Sequence, residues 1–199
     1  MYARIERDFE FQAGIHFEQN FIINSYNLQL QMGVMTEDLH EQNIAFERIK
    51  YLIEYSLENS LFIDYREKSA IDLYSKAGIK LCILPDEPFD QIVAAVLLSK
   101  INAITEKKLF LVEMRILSKI SDGVSFYLSH DEVDTFTKSE DVWYTENSAS
   151  INNNKKINKK EKIVELKKES NDWNSIGLGW KSIDTDKTGS KIVFTSQDK

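Results

Sequence analysis

Histidine and cysteine, the side chains most often used for zinc binding and nucleophilic catalysis, are scarce in this sequence, with three His and one Cys. The one cysteine, Cys82, has no partner for an internal disulfide and stands in the apolar run KLCIL, which favours a buried, unreactive thiol. His40 and His130 stand at loop-like positions, where a surface histidine is the usual case. Glu113, in LFLVEM, stands in a partly apolar setting where a carboxylate needs a partner. Three interpretations are open: Glu113 binds a ligand, it faces solvent, or it pairs with Arg115.

The elements that must position these side chains follow an α+β order. The spacing of apolar residues predicts two strands and then two amphipathic helices, at about 5–13, 20–35, 43–57 and 89–104. Two closing strands flank Asp122-Gly123, a hairpin-turn signal. Residues 65–87 contain GIKLCILP, which is either a short strand or a buried loop. The order predicts an antiparallel sheet with the helices on one face.

Six short segments, taken in order, resemble motifs of one protein family. They are RDFEFQAG from Arg7, NSYNLQL from Asn24, NIAFERIKYLI from Asn43, LENSLFID from Leu57, PFDQIVAA from Pro88 and LFLVEM from Leu109. The family is that of the 6-pyruvoyl tetrahydropterin synthases and their queuosine-pathway relatives, the 6-carboxy-tetrahydropterin synthases. The resemblance covers roughly residues 5–130, with 65–87 as an unmatched insertion.

The resemblance implies a T-fold subunit, in which a four-stranded antiparallel sheet (ββααββ) carries two helices on one face. Such sheets join into a closed barrel in a homo-oligomer, commonly a hexamer, and the ligand pocket lies between subunits. We therefore expect a T-fold-like domain over 1–145, a flexible linker over 146–172 and a C-terminal segment over 173–199.

The zinc ligands of the family are missing from this sequence. The resemblance places the three zinc histidines at Ile15, Asn24 and Tyr26, and none of these side chains replaces an imidazole nitrogen. His16 is adjacent to the first position, but a shift of one residue along a strand points a side chain to the opposite face unless a bulge intervenes. We expect no metal and no cofactor at these degenerate metal positions.

The residues that carry out the family's catalysis are also replaced. Residues 16–27 contain no cysteine where the family has its proton-transfer cysteine, and the family's Asp-His pair corresponds to Glu58 and Asn59. Asparagine is neither an acid nor a base near neutral pH. We therefore expect no catalytic residues and loss of the family reaction, and any activity that remains would be that of a pterin-related lyase.

One binding residue of the family is retained. The family's strand glutamate accepts paired hydrogen bonds from the 2-amino group and ring N–H of the pterin, and Glu113 stands at its position. Gln91 replaces the glutamate of the second helix. The resemblance thus implies a pocket between subunits for a pterin, deazaguanine or guanine-like ligand, with Glu113 and Gln91 as its binding residues.

The last part of the chain joins a polar tether to a small apolar group. Residues 146–172 are rich in Asn, Lys and Ser, which predicts a flexible linker, and Trp173 and Trp180 follow it. The tryptophans belong either to a poorly ordered tail or to a segment that docks on its own domain or on another chain. The alternative function is therefore a non-catalytic oligomeric scaffold that displays this tail to a partner.

The charge distribution argues against broad nucleic-acid binding. The 199 residues carry a net charge of −7, whereas affinity for phosphate comes from clustered Lys and Arg. Residues 151–199 hold 11 lysines against 7 acidic residues, which permits this tail to fold back on the acidic domain. No apolar run reaches the length of a spanning helix and the N-terminus lacks a secretory pattern, so we expect a cytoplasmic protein without a membrane partner.

Overall fold

The fold consists of a six-stranded sheet and three α-helices in a computed structural model that describes residues 3–135, 142–151 and 172–180. The strands are β1 (Ala3–Phe17), β2 (Asn20–Val34), β3 (Ser60–Asp64), β4 (Leu81–Leu84), β5 (Leu109–Ser118) and β6 (Ser125–Ser129). The helices are α1 (Leu39–Tyr51), which continues as a π-helical segment (Leu52–Leu57), α2 (Lys68–Lys76) and α3 (Asp90–Thr105). Short 3-10 turns cover Lys119–Ser121, His130–Thr135 and Trp143–Thr145. Within the described ranges, no helix combines the length and the apolar character that a membrane crossing requires.

The first two strands form one long antiparallel hairpin, as their alternating apolar residues predict. Each strand has 15 residues, and the two stay in register over their whole length. Glu18 and Gln19 connect them with positive φ angles of 48° and 65°, the sign that suits the twist of a two-residue hairpin turn. Inside the hairpin the rings of Phe11 and Tyr26 stack with their centroids 4.9 Å apart, which anchors the hairpin to the core.

The sheet is mixed, with the strand order β4-β3-β1-β2-β5-β6. β2, β5 and β6 pair antiparallel with their neighbours, whereas β3 and β4 run parallel to β1 and to each other. The α+β class is therefore confirmed, but the expected four-stranded antiparallel sheet is wrong. The cause is the stretch 65–87, which contains α2 and β4, so that a β3-α2-β4 crossover adds two parallel strands beside β1.

Helices cover both faces of the sheet. The inner face, which carries Phe11 and Phe62, packs against α1 and α3 in the main core. The outer face carries Leu61, Ile63 and Leu81, and these pack against α2 in a second cluster. Successive residues of a strand point to opposite faces, so neighbours in β3 join different cores. The expectation of helices on one face only is thus wrong for α2.

The outer face of β1 and β2 is polar. Glu6 accepts a hydrogen bond from Gln29 Nε2 at 2.7 Å, and Glu10 accepts one from Asn27 Nδ2 at 3.1 Å. Because these strands carry charged and amide side chains on one face and apolar side chains on the other, α1 and α3 pack only on the inner face.

Two C-terminal stretches, 142–151 and 172–180, join the same core as α1 and α3. Trp143 is buried and donates a hydrogen bond from Nε1 to the carbonyl oxygen of Ile83 at 2.8 Å. Trp173 is buried as well. Most of the predicted linker and most of the predicted C-terminal segment lie outside the described residues, so the expected domain boundaries stay a prediction.

Candidate functional site

Four polar side chains meet on the inner face at one end of the sheet, beside the first turn of α3. They are Asn24 and Tyr26 on β2, Asp90 on α3 and Ser118 on β5, and together they form what we call the sheet-end cluster. Tyr26 lies directly opposite Ser118 in the strand register. Asn24 shares the face of Tyr26, two residues away. Asn24, Tyr26 and Ser118 are almost completely buried.

Each side chain of the sheet-end cluster keeps a buried polar atom that has no hydrogen-bond partner in the described part of the chain. These atoms are Asn24 Nδ2, Tyr26 OH, Asp90 Oδ2 and Ser118 Oγ. Asn24 Oδ1, by contrast, accepts a hydrogen bond from the backbone N–H of Ile120 at 3.2 Å. An unpaired buried polar group costs about 1–3 kcal/mol, and native proteins contain few of them. The four lie in two adjacent pairs, Asn24 beside Tyr26 and Ser118 beside Asp90, so the partners satisfy each other only in part and a ligand or ordered water can complete the site.

Burial changes the titration of both acidic groups of the cluster. It raises the pKa of the Tyr26 phenol, so this hydroxyl stays neutral and can donate a hydrogen bond. It also raises the pKa of the Asp90 carboxyl, although Ser118 and Ser121 beside it lower that pKa in part. The cluster therefore combines neutral donors with a carboxyl group whose charged form burial disfavours, although Ser118 and Ser121 offset that effect in part.

A cleft of about 280 Å³ borders the sheet-end cluster. Its walls include Asp90, Ser118, Gln91, Phe89, Ile120 and Val124. Phe89 is 50% exposed, and its ring meets that of Phe17 edge to face at a centroid distance of 5.4 Å. A half-exposed aromatic wall next to buried donors and a carboxyl group suits a flat ligand with an apolar face and a polar edge.

The three degenerate metal positions all lie on the inner face. Asn24 and Tyr26 belong to the sheet-end cluster, and Ile15 is buried on the neighbouring strand β1. An aliphatic side chain, an amide and a phenol with a raised pKa do not form the nitrogen and thiolate set that zinc prefers, so these residues do not fit the family's metal. Residues 3–135, 142–151 and 172–180 contain no group of three or more His, Cys, Asp or Glu side chains placed to hold a metal ion.

His16 and Cys82 lie away from the sheet-end cluster's polar atoms. β1 has no bulge at His16, which stays in register with Phe21 and points to the outer face. The His16 ring is buried, with Nδ1 3.2 Å from the Tyr74 hydroxyl and Nε2 4.0 Å from the Glu67 carboxylate. Cys82 is buried, and burial raises the pKa of its thiol, which confirms the predicted buried cysteine.

Of the two predicted ligand-binding residues, only Gln91 lies beside the sheet-end cluster, at the rim of its cleft. Glu113 pairs with Gln31 and Ser129 in the strand register and points to the outer face. Gln31 is five positions along β2 from Tyr26, which corresponds to about 17 Å. Within one subunit, Glu113 and Gln91 therefore do not share a site, and their binding of one ligand stays a prediction.

A larger cleft, of about 640 Å³, lies at the same end of the sheet, and its lining includes Tyr26 and Ser118 of the sheet-end cluster. Its polar lining includes Glu10, Gln12, Asn27, Glu58 and Lys119. The carboxylates of this cleft have partners, because Glu58 accepts the backbone N–H of Gln12 at 2.9 Å and Glu10 accepts from Asn27 Nδ2 at 3.1 Å. The sheet-end cluster, whose polar atoms lack partners, is the better candidate for a binding site.

The sequence reasoning missed Asp90 and Ser118. Asp90 follows Pro88 and Phe89 at the start of α3, where an acidic residue is ordinarily explained by the helix dipole. Ser118 continues the buried positions of β5 after Met114 and Ile116, so strand parity in LFLVEMRILS was the signal that could have placed it inside.

The tryptophans predicted to bind a partner pack on the chain's own domain. Trp173 is 5% exposed and donates from Nε1 to the carbonyl oxygen of Asn147 at 2.7 Å. The Arg48 guanidinium carbon lies 3.8 Å from the ring centre of Trp180 and 4.8 Å from that of Trp173. These contacts favour the alternative in which the segment docks on its own domain, and partner binding stays a prediction.

Comparisons with known proteins give no family assignment. No protein-family model matches the chain, and a search of curated proteins finds no match either. The resemblance to the tetrahydropterin synthases therefore remains a prediction from sequence motifs.

Proposed function

We propose that this chain binds a small planar heterocycle of the pterin, deazaguanine or guanine type at the sheet-end cluster, and that it does so without the zinc-dependent reaction of the family. The proposal is carried by one observation: Asp90 and Ser118, next to the buried polar groups of Asn24 and Tyr26, line a cleft that has Phe89 as an aromatic wall. Heterocycles of this type have a flat face for the ring and an edge of alternating donors and acceptors for the polar atoms.

Asp90 is the carboxylate that pairs with the ligand in this arrangement. Its Oδ2 accepts from the amino group or ring N–H, while Tyr26 OH and Ser118 Oγ donate to the carbonyl and ring nitrogens. Hydrogen bonds from N–H groups favour a charged carboxylate, and they therefore offset the burial that raises the pKa of Asp90. Gln91 contacts the ligand from the rim of the cleft.

We propose in addition that the chain forms a homo-oligomer, with the hexamer that the resemblance implies as the expected size. Large apolar side chains at the hairpin tip support this, because Phe21 is 54% exposed and Ile23 is 67% exposed. Clustered apolar surface is usually covered by a partner. Glu113 contributes to the pocket of the sheet-end cluster only if a second subunit supplies it.

A thermal-shift panel on the full chain tests ligand binding. The compounds are neopterin, biopterin, sepiapterin, 7-deazaguanines and guanine nucleotides. A ligand present at 100 times its Kd stabilises the folded state by about 2.7 kcal/mol, which is a shift of several degrees. We expect a shift with at least one compound, and we expect Asp90→Asn and Ser118→Ala to reduce it.

Glu113→Gln serves as the matched variant, because it alters a carboxylate on the other face of the sheet. A shift that survives Asp90→Asn and Ser118→Ala but disappears in Glu113→Gln contradicts the sheet-end site and moves the ligand to the outer face. If no compound in the panel shifts the transition, the proposed ligand class is wrong.

A further inference from the structure

A second cluster of polar groups lies where the C-terminal segment 172–180 meets the domain. Arg48 on α1 is 2% exposed there, and its guanidinium donates from Nε to the carbonyl oxygen of Leu178 at 2.8 Å. Nη1 donates to the carbonyl oxygen of Ile104 at 2.9 Å and to Glu106 Oε1 at 3.0 Å. These bonds join α1, the end of α3 and the C-terminal segment, and we call this region the Arg48 seam.

A cleft of about 360 Å³ opens in the Arg48 seam. Its lining consists of Arg48, Glu106, Asn147, Ser148, Asp172, Trp173, Asn174, Gly179 and Trp180. The residues come from four separate parts of the chain, one of which is segment 172–180, so the cleft exists only while that segment is docked. Two indole rings lie over the Arg48 guanidinium, at 3.8 Å and 4.8 Å from their centres, and hold its plane in place.

Three hydrogen-bond donors on the walls of this cleft have no acceptor in the described part of the chain. Trp180 Nε1 and Ser148 Oγ are buried and unpaired. Arg48 makes its hydrogen bonds through Nε and Nη1, and Nη2 makes none. One planar carboxylate has enough lone pairs to accept from all three donors, and hydrogen bonds between charged partners are the strong ones.

The same cleft also has an acidic side. Glu106 uses Oε1 to accept from Arg48 and from Asn147, and the Glu106 side chain is 36% exposed. Asp172 stands on the same wall. A phosphate or another polyanion is repelled by these two carboxylates, whereas a ligand that carries an ammonium group next to its carboxylate is attracted by them.

We infer that the cleft of the Arg48 seam binds the zwitterionic end of a free α-amino acid. The carboxylate takes the three donors, on Arg48, Ser148 and Trp180, and the ammonium group lies toward Glu106. Such a ligand joins α1 to segment 172–180, so it also fastens the C-terminal segment to the domain. This site is separate from the sheet-end cluster, and it stands whether or not the heterocycle proposal holds.

Isothermal titration calorimetry of the full chain with each of the protein amino acids tests the inference. The amino acid that binds most tightly is then compared with its decarboxylated amine, with its N-acetyl derivative and with inorganic phosphate. We expect saturable binding of the free amino acid, and we expect both the amine and the N-acetyl compound to bind about tenfold more weakly or not at all, because each lacks one charged group.

Two conservative variants locate the site. Trp180→Phe removes the Nε1 donor but keeps a ring against Arg48, and Ser148→Ala removes one hydroxyl. We expect each to weaken binding about tenfold. Ser75→Ala, which removes an exposed hydroxyl on α2 away from the cleft, is the matched control and is expected to bind as the wild type does.

Four outcomes overturn the inference. The first is that no amino acid binds. The second is that the amine or the N-acetyl derivative binds as tightly as the free amino acid. The third is that phosphate competes with the amino acid, which makes the cleft a simple anion site. The fourth is that Trp180→Phe and Ser148→Ala both bind with unchanged affinity, which places the ligand elsewhere.

Discussion

The sheet-end cluster and the Arg48 seam both bury polar groups against the same core, but they treat them differently. In the seam, Arg48 donates four hydrogen bonds, and the nearby Lys100 donates to the carbonyl oxygens of Trp143 and Glu146 at 2.8 and 2.9 Å. In the sheet-end cluster, four atoms remain unpaired. The cations of the seam use most of their donors to hold parts of the chain together and leave only a few donors for a ligand, whereas every side chain of the cluster keeps an atom unpaired within the described residues.

The charge of the buried side chains explains why the two regions differ in how many of their polar atoms are paired. A buried cation without partners carries a desolvation cost of several kcal/mol, so Arg48 and Lys100 must be paired for the fold to persist. The neutral groups Asn24, Tyr26 and Ser118 cost only about 1–3 kcal/mol each when unpaired, which a domain of this size tolerates at a few positions. Neutral groups can therefore stay unpaired, whereas a buried cation such as Arg48 needs most of its donors paired within the chain.

The largest expected effect is at Arg48. Replacing it with methionine removes the charge and leaves the carbonyl oxygens of Leu178 and Ile104 and the Glu106 carboxylate without their donor. We expect Arg48→Met to lower the free energy of unfolding by about 3 kcal/mol, measured by urea denaturation. Lys76→Met breaks only an exposed ion pair with Asp72, and we expect less than about 0.5 kcal/mol there. Equal effects at Arg48 and Lys76 contradict a structural role for the seam.

The second-largest expected effect is a dependence of the free energy of unfolding on pH, which Lys100 causes. Burial lowers the pKa of the Lys100 amine to about 7, far below its value in the unfolded chain. Between pH 7 and pH 10 the unfolded chain therefore binds more protons at this residue than the folded chain, so stability rises with pH. From pH 7 to pH 9 we expect the wild type to gain about 2 kcal/mol more than Lys100→Met, measured by urea denaturation at each pH.

Burial raises the pKa of the Cys82 thiol well above its ordinary value, so between pH 7 and pH 9 the thiol stays neutral in the folded state of both the wild type and Lys100→Met, and its contribution cancels in the comparison. If the free energy of unfolding changes with pH by the same amount in both proteins, Lys100 has an ordinary pKa and its amine stays charged throughout this range.

The seam also shows which parts of the structure the sequence could not predict. The β1–β2 hairpin and the helices α1 and α3 follow from local periodicity, which acts over a few residues. Arg48 bonds to residues 56 and 130 positions away, and no local pattern encodes such partners. Gln91, Asn24 and Tyr26 were found only through a resemblance, and Asp90 joins them through the packing of α3.

β3 was missed for a related reason. All five of its residues, Ser60–Asp64, are buried, because α2 covers one face and the main core covers the other. A strand buried on both faces has no alternation of apolar and polar residues, and short apolar runs of this kind do not distinguish a strand from a loop. Because β3 pairs in parallel with both β1 and β4, the observed sheet has two strands more than the four predicted.

A pair of hydroxyl deletions sharpens the contrast between paired and unpaired groups. Ser60→Ala removes a buried hydroxyl on β3 that has no partner in the described part of the chain, so we expect the free energy of unfolding to rise by about 1 kcal/mol. Thr105→Val removes a buried hydroxyl that donates to the carbonyl oxygen of Leu109 at 2.7 Å, and we expect a fall of about 1 kcal/mol. Changes of the same sign in urea denaturation contradict the assignment of Ser60 as unpaired.

The smallest effect is expected for Asp90, and it concerns the slope of stability with pH. Burial raises the pKa of the Asp90 carboxyl in the folded chain above its unfolded value. The folded chain then holds this proton more tightly, so the contribution of Asp90 to stability is full below the unfolded pKa and is lost as pH rises through the folded pKa. Asp90→Asn cannot titrate, so we expect the wild type to lose stability relative to Asp90→Asn over this acidic range.

A bound heterocycle that donates to Asp90 should reduce that loss in the wild type and have no such effect in Asp90→Asn. If saturating ligand leaves the wild-type slope unchanged, Asp90 does not bind it, and the unpaired cluster has a purely structural origin.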